Sequence, residues 1–168
     1  MTAQYKASVP SRRPAAAPSV APGRRAAQDD PRWPHIAAAL AALRDRHRHA
    51  VRIVDADCAC GTLLIAAVRH ARMLGFTAIE GRGIDGSPAS IMRARAAAAR
   101  LHDPAIGLDF ALADMRQALA DEADFPADIV LYHRPPADDG RPGIAAALAA
   151  AGDLVIGDPA ATAGRRAA

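Results

Sequence analysis

Aromatic residues are scarce, at 4% of 168 residues against 51% hydrophobic residues in all. A core drawn from this chain must therefore rely on Ala, Val, Leu and Ile, with close helix contacts and few large anchors. Cysteine is scarcer still. Cys58 and Cys60 stand one residue apart, too close for an ordinary disulfide and too few for a zinc site, so no metal site is expected. They read as small turn residues, and two unpaired thiols point to a reducing, cytoplasmic setting. No run of about 18 apolar residues occurs, which excludes a membrane-spanning helix. Positive charge is missing where a nucleic acid would need it. The formal net charge is +3, but the first 33 residues hold six Lys/Arg against two Asp, leaving the rest of the chain at about −1. Phosphate binding needs cations clustered on a folded surface, so a nucleic-acid partner is not supported.

What is present fits one domain with flanking segments. Residues 1–33 carry Pro10, Pro14, Pro18, Pro22 and Pro31 among Ala, Ser and Arg pairs, which predicts a disordered basic arm. The domain is placed at residues 34–158, and residues 159–168 are read as a disordered tail.

The chain is organised around Val51 to Leu64, VRIVDADCACGTLL. Val51, Ile53 and Val54 suit a buried parallel strand, Asp55 and Asp57 mark its end, and Ala56, Cys58, Ala59, Cys60 and Gly61 are small enough for close backbone approach to a ligand. A helix from Thr62 would aim its free N–H groups at the same place. Two carboxylates at the lip argue against a phosphate and for a ligand carrying hydroxyls and an ammonium group.

Further elements follow in alternation. Ile36, Leu40 and Leu43 predict a helix after Pro34, and Leu64, Ala67, Val68, Ala71 and Leu74 give the buried stripe of the helix that Gly75 stops. Ala78 to Asp85 reads as the second strand and Ser87-Pro88 as a helix start. Leu108 to Ala113 reads as the third strand, Ala127 to His133 as the fourth, Gly143 to Ala151 as a helix and Asp153 to Ile156 as the fifth strand. Asp55, Asp85 and Asp114 thus close three successive strands, and ligands of open α/β sheets bind outside such ends.

At these residues the chain resembles the class I S-adenosylmethionine-dependent methyltransferases. Their first motif is an acidic residue followed by a Gly-x-Gly-x-Gly turn, which falls here on Asp55, Asp57, Ala59 and Gly61, so that Asp57 and Ala59 stand in place of two glycines. The resemblance covers roughly residues 35–158. It implies a Rossmann-like α/β three-layer sandwich with a mainly parallel sheet in the order 3-2-1-4-5 and helices on both faces. It also implies S-adenosyl-L-methionine as cofactor. Asp55, Asp57, Cys58, Ala59 and Gly61 would hold the methionine part, Asp85 the ribose with Gly86 leaving room, and Asp114 with Met115 the adenine. Some amino-group methyltransferases carry Asn/Asp-Pro-Pro-aromatic after strand four. This chain has Arg134-Pro135-Pro136-Ala137, so that activity is not carried over.

Methyl transfer to a small-molecule or other acceptor is the leading expectation, with Tyr132 and His133 as the candidates to orient the acceptor or take a proton. Two rivals stand beside it. A nicotinamide-dependent oxidoreductase would need a turn free of acids, and a non-catalytic, truncated methyltransferase-like cofactor-binding module would fit the substituted glycines. Strand five, as a sheet edge, predicts a homodimer or an edge covered by the tail.

Overall fold

Neighbouring residues of one strand face opposite ways, and here both faces are apolar. Ile53 and Val54 are adjacent and fully buried, yet Ile53 belongs to one hydrophobic cluster and Val54 to another. A strand buried on both sides belongs in a parallel sheet between two helical layers. The computed structural model, which describes residues 27–134 and 141–158, has that arrangement. In chain order its elements are α1 (Trp33–Asp45), β1 (Ala50–Asp55), α2 (Thr62–Met73), β2 (Ala78–Asp85), α3 (Pro88–Ala98), β3 (Ile106–Leu112), α4 (Met115–Glu122), β4 (Ile129–Leu131), α5 (Ile144–Ala151) and β5 (Val155–Ile156).

All pairings are parallel and the strand order is β3-β2-β1-β4-β5, as the sequence implied. The first core packs Ile36, Leu40 and Leu43 of α1, Leu64, Ala67 and Val68 of α2, and Ile91 and Ala94 of α3 on one face of the sheet. The second packs Leu119 of α4 and Ile144 and Leu148 of α5 on the other, against Val54, Val130 and Tyr132. Each fully buried Leu or Ile of this kind contributes about 1.5 to 3 kcal/mol. β1 is central, bonded to β2 on one side and β4 on the other, so the direction of winding reverses there and a crevice opens beyond its carboxyl end.

Strand bounds differ modestly from the sequence reading. β2 matches it, β3 starts two residues earlier, and β4 is reduced to Ile129–Leu131, with Ala127 forming only an isolated bridge to Gly152. Ser87 caps α3, its hydroxyl accepting from the Ser90 N–H at 3.4 Å, with Pro88 in the first turn. The expected arm at residues 1–33 is corrected at its end. Ala27 is buried in the first core and Arg32 is only 8% exposed, so residues 27–33 belong to the domain. Pro34 lies in the first turn of α1, where the missing N–H would have had no helical partner. Residues 1–26 of that arm, the tail at 159–168, and Pro135, Pro136 and Ala137 lie outside the described residues.

Candidate functional site

The turn between β1 and α2 is held from three sides. The Ala56 N–H donates to the Leu131 carbonyl of β4 at 3.0 Å, the Cys58 N–H to the Ile84 carbonyl of β2 at 2.9 Å, and the Gly61 N–H to Cys58 O at 2.8 Å. Ala59 has φ +46° and Gly61 φ +73°, so the backbone takes the left-handed shape of a glycine-rich turn although one position carries a methyl group. At Gly61 glycine is required for a second reason. A Cβ there would lie 2.6 Å from the Phe110 ring, and one at Gly83 would lie 2.5 Å from it. Phe110, fully buried, thus wedges between the turn and β2. Gly61 offers no side-chain cap to α2, so the first N–H groups of that helix are left for other acceptors.

Asp85 ties this turn to the end of β2. Its Oδ2 accepts from the Ala59 N–H at 2.9 Å and its Oδ1 from the Ser87 N–H at 2.7 Å. Each oxygen keeps a second lone pair for a ligand. Asp114 caps α4, accepting through Oδ1 from the N–H groups of Arg116 and Gln117 at 3.0 and 3.1 Å. Gly86 is not demanded by packing, since a Cβ there would meet nothing within 4 Å.

A cleft of about 340 Å³ opens against the turn, lined by Ala27, Asp30 and Arg32 before α1, by Asp55 to Cys60, Thr62 and Leu63 except Ala56 and Gly61, and by His133 after β4. Asp55 is fully enclosed. Burial pushes its carboxyl up to about 7, although the Arg32 charge and the Asp57 N–H pull it down. Burial also pushes the Cys58 thiol up, with Asp55 and Asp85 adding to the effect, so Cys58 is an inert packing residue at neutral pH. Asp57 Oδ2 lies 2.6 Å from His133 Nδ1, and Arg134 Nε donates to His133 Nε2 at 3.3 Å.

The structure therefore brings Asp55, Asp57, Cys58, Ala59 and His133 together in the cleft and joins Asp85 to it through Ala59. Gly61 serves behind the turn. Asp114 and Met115 stand at the head of α4, beyond the cleft lining. Tyr132 is fully buried in the second core and its hydroxyl accepts from Arg141 at 2.5 Å, so it does not face an acceptor. Sequence reasoning missed Arg32 and Asp30. The Asp30-x-Arg32 spacing just ahead of a helix start was the available signal, since Asp30 accepts from both the Arg32 backbone N–H and its guanidinium at 2.8 to 2.9 Å.

Neither protein-family models nor curated protein sequences match this chain. Solved structures do. A Plasmodium falciparum structure assigned as a protein-L-isoaspartate O-methyltransferase, in complex with S-adenosyl-L-homocysteine, aligns with a TM-score of 0.50 at 15% identity, covering 76% of this chain and 62% of the other. The fold, a Rossmann-like one, is shared with that structure. Magnesium protoporphyrin IX methyltransferase from Synechocystis PCC 6803 with bound S-adenosyl-L-methionine is 20% identical, with a TM-score of 0.47, over 77% of this chain and 61% of its own. A Listeria monocytogenes structure assigned as a class I S-adenosylmethionine-dependent methyltransferase is 20% identical, with a TM-score of 0.43, over 60% of this chain and 29% of its own. In each case the chain spans less than two thirds of the other protein's length.

Proposed function

We propose that this domain binds S-adenosyl-L-methionine and transfers its methyl group to an acceptor. The observation that carries this reading is the bond from the Ala59 N–H to Asp85 Oδ2, which holds a left-handed turn open between β1 and α2 beside a cleft walled by carboxylates. A pyrophosphate would meet Asp55 and Asp57 in that cleft, and like charges repel, which counts against a nicotinamide dinucleotide. The residues present fit the adenosyl cofactor. Asp55 presents a buried acceptor oxygen with no protein partner among the described residues, suited to an ammonium group.

In this reading Asp55 and the turn from Asp57 to Gly61 hold the methionine part, Asp85 accepts from the ribose hydroxyls beside Gly86, and Asp114 with Met115 reads the adenine. The cofactor, when bound, supplies a methyl group already activated on a sulfonium. The chain's own contribution is then mainly alignment, which can supply several kcal/mol of barrier lowering, on the order of 7 to 11 kcal/mol at best. His133 is the cleft residue placed to orient an acceptor, with Asp57 Oδ2 2.6 Å from its Nδ1. Free Cys58 and Cys60 fit a cytoplasmic location, and β5, paired only with β4 among the described residues, offers the edge for a homodimer that light scattering would reveal.

Calorimetry with S-adenosyl-L-methionine, S-adenosyl-L-homocysteine and NAD in parallel tests the reading. Binding of the first two and not the third is the expected result, and the reverse would remove it. The burial of Tyr132, which leaves His133 as the one of the two candidates that faces the cleft, favours a second reading of a non-catalytic cofactor-binding module. Slow transfer of labelled methyl from bound cofactor to any acceptor would exclude it.

A further inference from the structure

β3 ends the sheet on the side away from β5, and its backbone groups alternate between inward and outward use. The Ile79 N–H donates to the Ala105 carbonyl at 2.8 Å and the Ala113 N–H to the Asp85 carbonyl at 3.3 Å, so the odd-numbered residues of this stretch bond to β2. The even-numbered ones face outward. Two of the outward groups already have partners: the Ile106 N–H donates to the Asp103 carbonyl at 3.0 Å, and the Phe110 carbonyl accepts from Arg95 Nε and Nη2 at 2.9 and 2.6 Å. The Ile106 carbonyl, both Leu108 groups and the Phe110 N–H have none among the described residues. A groove of about 400 Å³ runs beside this edge, walled by Ala98, Ala99 and Leu101 at the end of α3 and by Ile106 and Leu108.

We infer that this edge pairs with the same edge of a second copy of the chain, antiparallel, about a two-fold axis at Leu108. In that register Leu108 exchanges both its bonds with its counterpart, and each Phe110 N–H donates to the Ile106 carbonyl of the other copy. The one bond missing from the ladder would run from the Ile106 N–H to the Phe110 carbonyl, the two groups that each copy satisfies internally. No outward group from Ile106 to Phe110 is then left open. Neighbouring registers lack this match: an axis at Gly107 sets the engaged Ile106 N–H against the Leu108 carbonyl, and one at Asp109 sets that carboxylate against its own copy. Ile106 and Leu108 pack on the side of the first core, so their counterparts arrive over the apolar groove. The two five-stranded sheets become one, with their carboxyl ends and clefts turned opposite ways.

Sedimentation equilibrium of the full chain tests this through Gly107, which the axis sets opposite Asp109 of the second copy. Gly107 has no positive φ, and an added Cβ would meet nothing nearer than the Ile79 carbonyl at 3.9 Å, so the fold accepts a side chain there. The two-fold makes each change act twice. Against Gly107→Ala as baseline, Gly107→Asp should weaken the dimer roughly two- to thirty-fold by facing Asp109 with like charge, and Gly107→Lys should tighten it by a similar factor. Both shifts should shrink in about 1 M salt. Hydrogen exchange should show the Leu108 and Phe110 amides protected in the dimer and open on dilution. A dimer indifferent to both charges, such as one through β5, overturns the inference, and so does a parent that stays monomeric. Dimerisation gained only in Arg95→Ala also overturns it, and assigns Arg95 to guarding the edge.

Discussion

Asp57 Oδ2 and His133 Nδ1, 2.6 Å apart, join the ends of β1 and β4 across the point where the sheet reverses its winding. The carboxylate occupies a position where the resembled motif has glycine, so the side chain that departs from the motif is the one that stands against the imidazole.

Removing this carboxylate should alter the ring more than the fold. Asp57→Asn is expected to change stability by no more than about 1 kcal/mol, because both side chains are over a third exposed. Nitrogen-detected NMR should show the proton on Nδ1 in the parent and a mixture of tautomers in the variant. An unchanged tautomer would mean that Arg134 alone sets the ring.

Asp55 predicts an inverted pH dependence for the ligand-free protein. Its folded pKa, about 7, lies above the ordinary 3.8, so between those values the native state holds a proton that the unfolded state releases. Stability from this group is therefore present below about pH 4 and falls as pH rises toward 7 and above, by a total of about 4 kcal/mol. Asp55→Asn should remove the slope and raise the melting temperature at pH 8. Ligand binding should run the other way, because an ammonium needs the ionised carboxylate: S-adenosyl-L-homocysteine affinity should weaken as pH falls below 7. Urea titrations from pH 5 to 8 and calorimetry at the same values check both signs.

Asp85 predicts two losses from one substitution. Asp85→Ala removes the acceptor for the Ala59 N–H and the Ser87 N–H, so the turn loses its hold as well as any ribose contact. Cofactor affinity should drop roughly ten- to a thousand-fold, from one or two charge-assisted bonds. Because Ser87 is the cap of α3, helix loss should not accompany it, and far-ultraviolet circular dichroism should be unchanged. Parental affinity in Asp85→Ala would assign this carboxylate to the turn alone.

The turn itself contains one strained residue and one indispensable glycine. Ala59→Gly should stabilise the protein by about 0.5 to 1 kcal/mol, since φ +46° costs a residue with Cβ that much or more. Gly61→Ala should destabilise by about 2 kcal/mol or more, through both φ +73° and the clash with Phe110. Chemical denaturation of the two variants should therefore move in opposite directions.

Much of this fold was legible because its signals are local or periodic. β2 carries the bounds read from the sequence, the apolar spacing of Ile36, Leu40 and Leu43 marks the buried face of α1, and acids at strand ends marked the crevice. The fate of Tyr132 was legible too, by a rule left unused. Val130 and Tyr132 are two apart at the end of one strand and share the second core, which turns His133 the other way. Arg32 was hidden for a different reason. Its neighbours Pro31 and Pro34 suggest an arm, and while the Asp30-x-Arg32 spacing signals the local ion pair, the approach to Asp55 and Asp158, 23 and 126 residues away, is announced by no local pattern.

Phe110 fills the space that side chains at Gly61 and Gly83 would need. Three positions on three elements are thereby bound to change as a set. A smaller residue at 110 should make alanine at 61 or 83 cheaper, so double-mutant cycles across the three should show strong non-additivity, and sequence drift at any one of them is constrained by the other two.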